Sequence, residues 1–178
     1  MLEIELKVRV PDLALVRNRL TTLHAERLET VRERDVYYNA PDRDFAETDE
    51  ALRVRYAGGR VIVTYKGPKI REFGLKAREE FNTAVESGED FEKMLDRLGF
   101  RRTMEVRKHR EYYRFAGSII SLDDVDRLGT FAEIEYEGEN RGDAEQAIAE
   151  IAKKIGVEGT PLLESYLELL IRQSEARS

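Results

Sequence analysis

Residues 2–9 of the chain, LEIELKVR, alternate between apolar and charged side chains without a break. Successive side chains of a β-strand leave opposite faces, so one face of this strand would carry only charged groups. That row consists of Glu3, Glu5, Lys7 and Arg9. Its two carboxylates would lie about 7 Å apart, which is close enough to share divalent cations. The spacing therefore indicates a strand that offers acidic and basic groups side by side to one site.

Charged rows of the same kind recur on the later predicted strands. In nearly every case the opposite face of the strand is the more apolar one. The rows comprise Arg53 and Arg55; Lys66; Lys76, Arg78, Glu80 and Asn82; Lys108, Arg110, Tyr112 and Arg114; Asp123; and Glu133 and Glu135. Like charges are grouped within these rows although they repel each other. A bound polyanion together with metal cations would supply a reason for this grouping.

The simpler explanation is a solvated sheet face, because antiparallel sheets commonly pack one face and expose the other. Two further features favour an enclosed charged face. The apolar faces must be covered by the amphipathic helices, which places the helices on that side of the sheet. About eight strands also tend to curl, and closure into a barrel removes the unpaired edges. If the sheet closes with its helices outside, the charged rows point inward.

The residue types in these rows suit phosphoryl chemistry. Mg²⁺ and Mn²⁺ prefer carboxylate oxygens and substrate phosphates, while Arg and Lys bind the remaining phosphate oxygens. The predicted metal ligands are Glu3, Glu5, Glu80, Asp123, Glu133 and Glu135. The predicted phosphate-binding residues are Lys7, Arg9, Arg53, Arg55, Lys66, Lys76, Arg78, Lys108 and Arg110. We expect Glu3, Glu5, Lys7 and Lys66 to be catalytic, since phosphoryl transfer depends mainly on positioning and charge stabilisation.

Hydrophobic periodicity and turn residues predict the elements that hold these rows. The predicted strands are 2–9, 28–39, 51–56, 60–66, 75–85, 100–115 (as one or two strands), 118–125 and 130–136. Helices are predicted after Pro11-Asp12, at 89–98, from an Asp143 cap to Ile155, and from Pro161 onward, with 42–50 as an acidic loop and 173–178 as a flexible tail. Mostly short connections favour antiparallel pairing. We expect an α+β fold: a closed antiparallel eight-stranded β-barrel with amphipathic helices, the last one included, packed outside.

Composition narrows the function further. The chain has 178 residues, a net charge of −6 and a pI of about 5.2, which argues against a general nucleic-acid or acidic-membrane partner. It contains no cysteine and only two histidines, so thiolate chemistry and a His-rich zinc site are excluded. No apolar run approaches the roughly 20 residues of a membrane span. We expect one cytoplasmic domain over 1–178 with no membrane partner; a homodimer is left open.

The ordered motifs resemble those of the CYTH superfamily, which contains class IV adenylate cyclases, thiamine triphosphatases and related triphosphate tunnel metalloenzymes. Glu3-x-Glu5-x-Lys7 resembles its ExExK signature. The further matching segments are Leu52-Arg53-Val54-Arg55, Tyr65-Lys66-Gly67-Pro68, Lys76-x-Arg78-x-Glu80, Lys108-x-Arg110, the stretch 122–135 and Ser165-Tyr166. One departure is Asn82, which stands where members often carry a second carboxylate.

The resemblance implies a tunnel-shaped barrel that holds a triphosphate on its basic rows and Mg²⁺ or Mn²⁺ on its acidic rows. The favoured activity is that of a class IV adenylate cyclase, which converts ATP into 3′,5′-cyclic AMP and pyrophosphate. Hydrolysis of inorganic, thiamine or nucleoside triphosphate is the alternative. A non-catalytic triphosphate-binding module is a third interpretation, to which Asn82 gives some weight.

Overall fold

A computed structural model of the protein describes residues 2–72, 75–138, 141–157 and 159–176, without the side chains of 2, 71, 72, 75, 76 and 141. In this part of the chain strands and helices alternate irregularly. The strands are β1 (Leu2–Arg9), β2 (Glu26–Asn39), β3 (Ala51–Ala57), β4 (Arg60–Lys66), β5 (Ile70–Glu72), β6 (Leu75–Val85), β7 (Arg101–Phe115), β8 (Ser118–Val125) and β9 (Gly129–Tyr136). The helices are α1 (Leu13–Thr22), α2 (Phe45–Thr48), α3 (Gly88–Arg97), α4 (Arg141–Ile155) and α5 (Tyr166–Glu175).

Eight of these strands close into a barrel in which neighbouring strands run antiparallel. The order around the ring is β1-β9-β8-β7-β2-β3-β4-β6, and β6 pairs again with β1. The short strand β5, which the sequence did not predict, pairs with β6 outside the ring. Closure satisfies the backbone groups that an open sheet would leave exposed at its edges. The predicted α+β fold with a closed eight-stranded antiparallel barrel is confirmed.

The strand register brings the charged rows together inside the barrel. Glu5 lies opposite Glu135 across the β1–β9 pairing, and Lys7 lies opposite Glu133. Residues that face each other across a pairing point to the same side of the sheet, so rows on neighbouring strands adjoin. Glu5, Lys7 and Glu133 are buried, as expected for a row on an enclosed face.

The apolar faces of the strands point outward and are covered by helices. One cluster joins Leu6 and Ile134 of the barrel to Leu20 of α1 and Ile148 of α4. A second cluster packs Leu95 of α3 on β2, β3 and β4. Each fully buried aliphatic side chain contributes about 1.5–3 kcal/mol, so these contacts hold the charged face inward. No described helix combines the length and the apolar character that crossing a membrane requires.

The last helix begins at Tyr166, so the predicted start at Pro161 is wrong. Ser165 caps the helix, and its hydroxyl and the Glu168 side chain form a reciprocal capping box. The segment before the cap is held against the barrel instead, where the Leu162 N–H donates to the Lys7 carbonyl at 2.8 Å. We expected this helix to pack on the barrel exterior, and it lies across one end of the barrel, where it packs on Val125 and Phe131. Residues 173–175 of the predicted tail belong to it.

Smaller differences concern element ends and helix faces. Strand β2 begins two residues earlier than predicted, and the short helix α2 interrupts the predicted acidic loop. Asp143 lies in the first turn of α4 rather than at its cap. On α3, Leu95 is buried, but Met94 and Leu98 are 58% and 67% exposed. None of these differences changes the enclosure of the charged rows.

Candidate active site

The barrel encloses a polar cavity of about 270 Å³. Seven basic and six acidic side chains line it among the described residues, so the cavity can hold positive and negative groups at once. The basic residues are Lys7, Arg53, Arg55, Lys66, Arg78, Lys108 and Arg110. The acidic residues are Glu3, Glu5, Asp35, Glu80, Glu133 and Glu135. Most of the predicted site residues are therefore brought together in one place.

The wall formed by β2, β3 and β7 holds two cations on two buried carboxylates. Arg55 binds Asp35 through two hydrogen bonds of 2.7 Å. Lys108 lies 2.8 Å from Glu33 and 3.1 Å from Asp35. Burial alone would raise the pKa of Asp35, but Arg55 and Lys108 hold it well below its ordinary value. The two carboxylates therefore stay ionised and fix both cations in place.

Arg110 on β7 links this wall to β8 and β9. Its Nε donates to Asp123 Oδ1 at 2.6 Å, and the same guanidinium pairs with Glu133. The Tyr166 hydroxyl donates to the other Asp123 oxygen at 2.6 Å. Burial would lower the pKa of Arg110, but Asp123 and Glu133 raise it well above its ordinary value. Arg110 is therefore a permanent, oriented cation at the cavity.

Arg53 differs from the other buried cations in having unused donor capacity. Its side chain is buried, and one terminal nitrogen donates to Thr64 Oγ1 at 2.9 Å. The other terminal nitrogen lies 3.9 Å from Asp35, and the Arg53 Nε has no hydrogen-bond partner among the residues that the structure describes. A buried N–H without a partner is costly unless a ligand satisfies it. Arg53 is thus ready to bind an anion in the cavity.

Carboxylates are concentrated on β1, β6 and β9. Burial, followed by the charges of Glu3 and Glu5, raises the pKa of Glu135 to about 8. Lys66 pairs with Glu80 and lies 3.5 Å from Glu3, and Lys7 lies 3.3 Å from Glu133. This side of the cavity, which we call the acidic wall (Glu3, Glu5, Glu80, Glu133 and Glu135), repels further negative charge and would be relieved by a cation.

The donor chemistry of the acidic wall fits a hard divalent ion. It consists of carboxylate oxygens, the ligands that Mg²⁺ and Mn²⁺ prefer. Among the described residues, no group of three or more His, Cys, Asp or Glu side chains is arranged so that it could hold a metal ion. Lys66 pairs with Glu80 and Lys7 pairs with Glu133, so each lysine contacts a carboxylate oxygen that a metal ion could use.

Three predicted residues do not line the cavity or cannot be placed. Arg9 is exposed; its guanidinium donates to the Leu128 carbonyl at 2.8 Å and lies 4.7 Å from the Phe131 ring centroid. Asp123 is fully buried behind Arg110 and holds that residue instead of facing the cavity. The Lys76 side chain lies outside the described residues.

Arg78 and Asn82 line the cavity with most of their hydrogen bonds directed elsewhere. Arg78 donates to the backbone carbonyls of Gly67 at 2.8 Å and Asp49 at 2.7 Å, so it also anchors the loop after β4. The Asn82 side-chain oxygen accepts from Thr64 Oγ1 at 2.7 Å. Asn82 thus supports the residue that orients Arg53.

Sequence reasoning missed Glu33, Asp35 and Tyr166. The two acids occupy alternate positions of β2, which is the signal that revealed the other rows. Arg32 and Arg34 occupy the opposite face, so charge alone did not show which face points inward. Tyr166 was singled out only as part of the resembling segment Ser165-Tyr166, because the pattern of α5 does not reveal which end of the barrel the helix covers.

Comparison with known proteins agrees with this geometry. The family model of the CYTH domain matches residues 1–165. The chain is 37% identical over 173 residues to a Methanocaldococcus jannaschii protein named "Putative adenylate cyclase", covering 95% of this chain and 98% of that protein. It is 25% identical over 178 residues to adenylate cyclase CyaB of Aeromonas hydrophila, covering 97% and 90%.

Solved structures show the same architecture. A protein of Pyrococcus horikoshii OT3 matches with a TM-score of 0.84 and 35% identity, covering 96% of this chain and 99% of that chain. The motifs, the closed barrel and the family match agree over nearly the whole sequence. The chain therefore belongs to the CYTH domain family.

Proposed function

We propose that this protein is a metal-dependent enzyme acting on a triphosphate, and that it is a class IV adenylate cyclase. The observation that carries the proposal is the pairing, within one cavity, of the acidic wall with buried arginines and lysines. A nucleoside triphosphate with its metal ion presents the complementary charges. The relatives named as adenylate cyclases support the same substrate class.

Substrate binding would exchange ion pairs within the cavity. Phosphate oxygens would take the donors of Arg53 and draw Lys7 and Lys66 away from the carboxylates that they now contact. Glu3, Glu80 and Glu133 would then be released from the lysines and, together with Glu5 and Glu135, would be available to hold Mg²⁺ or Mn²⁺. Such an ion, when bound, lowers the pKa of a nucleophilic hydroxyl or orients it. In this scheme the same two lysines neutralise carboxylates before the substrate binds and phosphates afterwards.

The order of residues along the strands supports a direction of binding. Of the cavity-lining residues on β1, Lys7 lies closest to α5, and Glu5 and then Glu3 each follow about 7 Å farther along the strand. On β9, Glu133 lies opposite Lys7 and Glu135 lies opposite Glu5. A triphosphate that enters with its terminal phosphate toward α5 would place its α-phosphorus beside the acidic wall.

This direction favours cyclisation. The ribose 3′-hydroxyl would attack the α-phosphorus next to Glu5 and Glu135 and pass its proton to a neighbouring carboxylate. The bond from the α-phosphorus to the bridging oxygen would break, and pyrophosphate would leave on the side of α5. Lys7, Lys108 and Arg110 would stabilise the negative charge that develops on the pyrophosphate. The protein's own contribution is to orient the triphosphate and to neutralise its leaving group with fixed cations.

Triphosphate hydrolysis is the second candidate, and the size of the cavity favours it. The cavity volume of about 270 Å³ lies just below the roughly 300–1,000 Å³ typical of small-molecule sites. A substrate without a bulky organic group would be accommodated within such a volume. The same charged residues would then serve an attack by water on the terminal phosphorus.

Product analysis with ATP and Mn²⁺ or Mg²⁺ tests the proposal. Cyclic AMP with pyrophosphate is the expected result. ADP with orthophosphate would instead identify the enzyme as a triphosphatase and contradict the cyclase. Metal-dependent binding without turnover would leave only a triphosphate-binding module. Glu5→Gln should remove the activity, and Glu79→Gln, an exposed carboxylate on the outside of the barrel, is the matched control.

A further inference from the structure

Tyr166 forms the floor of the cavity at the end covered by α5. It is the first residue of this helix and lines the cavity, although it is only 6% exposed. The Lys7 ammonium lies 4.2 Å from the centroid of its ring, and the Lys108 ammonium lies 5.6 Å away. The ring therefore closes the cavity at this end, with two lysine ammonium groups beside it.

Several contacts hold this ring in place. Its hydroxyl donates to the fully buried Asp123 at 2.6 Å, and its ring packs on Phe131 with centroids 5.0 Å apart. Behind the ring, Leu169 and Leu170 fill the end of the barrel. These contacts leave the ring little freedom to move aside.

The start of α5 is fixed independently of the ring. Glu168 completes the capping box with Ser165 and accepts a hydrogen bond from Lys69 at 2.7 Å. Lys69 also pairs with Asp49 in the loop before β3. The helix that carries the floor is thus tied to two other segments of the barrel.

We propose that Tyr166 is a specificity-determining residue that limits the number of phosphates in the substrate. The inference rests on the proposed function and on entry with the terminal phosphate toward α5. A triphosphate would end above the ring, between Lys7 and Lys108. A fourth phosphate would have to displace the ring or push the α-phosphorus away from Glu5 and Glu135.

The test compares turnover of ATP and adenosine 5′-tetraphosphate by Tyr166→Ala. The ratio of the tetraphosphate kcat/KM to the ATP kcat/KM should rise roughly tenfold to hundredfold over that of the wild type, as expected when a steric limit in a closed pocket is removed. Tyr166→Phe keeps the ring and should keep the ratio. Leu169→Ala loosens the same buried cluster without altering the floor, and it should also keep the ratio.

Calorimetric titration with inorganic triphosphate and tetraphosphate provides a second measurement that needs no turnover. Wild type should bind the triphosphate more tightly, and Tyr166→Ala should reduce that preference; Tyr166→Leu serves if the alanine variant does not fold. An unchanged preference in a folded variant would overturn the role of Tyr166 while leaving the proposed function intact. Failure of wild type to bind either polyphosphate would overturn both.

Discussion

Replacing Glu135 should stabilise the ligand-free protein while it impairs function. Burial and the nearby charges of Glu3 and Glu5 raise the pKa of Glu135 to about 8, from an ordinary value of 4.5. The folded state therefore keeps a proton that the unfolded chain releases. The folded state is therefore destabilised relative to the unfolded chain as the pH rises from 4.5 toward 8. This destabilisation by Glu135 reaches its full size above about pH 8.

The size of the destabilisation follows from the difference between the two pKa values of Glu135, 4.5 in the unfolded chain and about 8 in the folded protein. At roughly 1.4 kcal/mol per pKa unit, this difference corresponds to at most about 5 kcal/mol. Glu3 and Glu5 share this repulsion, so we expect Glu135→Gln to recover about 2–4 kcal/mol at pH 8.5. For a domain of this length, 1 kcal/mol changes Tm by about 2–4 °C, which gives a rise of roughly 5–15 °C.

Thermal unfolding in the presence of a chelator measures this directly. Glu135→Gln should raise Tm at pH 8.5 and leave it nearly unchanged at pH 4.5, where the wild-type carboxyl is protonated in the fold. Glu79→Gln, on the exposed outer face of β6, should change Tm at neither pH. A Tm for Glu135→Gln that is unchanged or lower at pH 8.5 would refute the like-charge crowding of the acidic wall.

Three further predictions concern other parts of the cavity. Glu5→Gln and Lys66→Ala should each abolish turnover with an unchanged circular dichroism spectrum, and full activity in either variant would remove that residue from the site. Asp35→Ala removes one of the two buried carboxylates, Glu33 and Asp35, that balance Arg55 and Lys108, so it should cost about 3–5 kcal/mol in urea unfolding; an unchanged midpoint would contradict the buried network. Arg53→Gln should weaken triphosphate binding about tenfold to a hundredfold in calorimetry, the loss of one charge-assisted hydrogen bond of roughly 1.5–3 kcal/mol, and it should have little effect on Tm. Equal affinity for wild type and the Arg53 variant would exclude Arg53 as a phosphate ligand.

The barrel and most of its charged lining were predictable because local pattern and global fold agree. In β1 every second residue is apolar and the others are charged, so the buried and polar faces of the strand can be read without ambiguity. The tight turn at Gly58 and Gly59, both with positive φ, marks the β3–β4 hairpin equally clearly. Closure then follows from the number of strands and the need to cover their apolar faces.

The pattern fails where both faces of a strand carry charge. In β2, Glu33 and Asp35 alternate with Arg32 and Arg34, and only the pairing with Lys108 shows which face is enclosed. That information depends on the register between β2 and β7, which no local stretch of sequence contains. The same limit explains Arg9, which shares the row of Lys7 but extends beyond the cavity to the Leu128 carbonyl.

The position of α5 was also beyond the sequence pattern. Its apolar face predicts burial but not which apolar surface it covers. The inward-facing residues at one end of the barrel, Val106, Val125 and Phe131, are apolar rather than charged. Together they form an apolar surface on which α5 packs, and this surface becomes recognisable only once the barrel is closed. The packing of α5 on this surface places Tyr166 at the end of the cavity.

The most direct measurement for the whole interpretation is a calorimetric titration of inorganic triphosphate into the wild-type protein, with and without Mn²⁺. We expect saturable binding of one triphosphate per chain that becomes tighter when Mn²⁺ is present and is lost in Lys66→Ala. No saturable binding, or binding that is the same in Lys66→Ala, would contradict a triphosphate site inside the barrel.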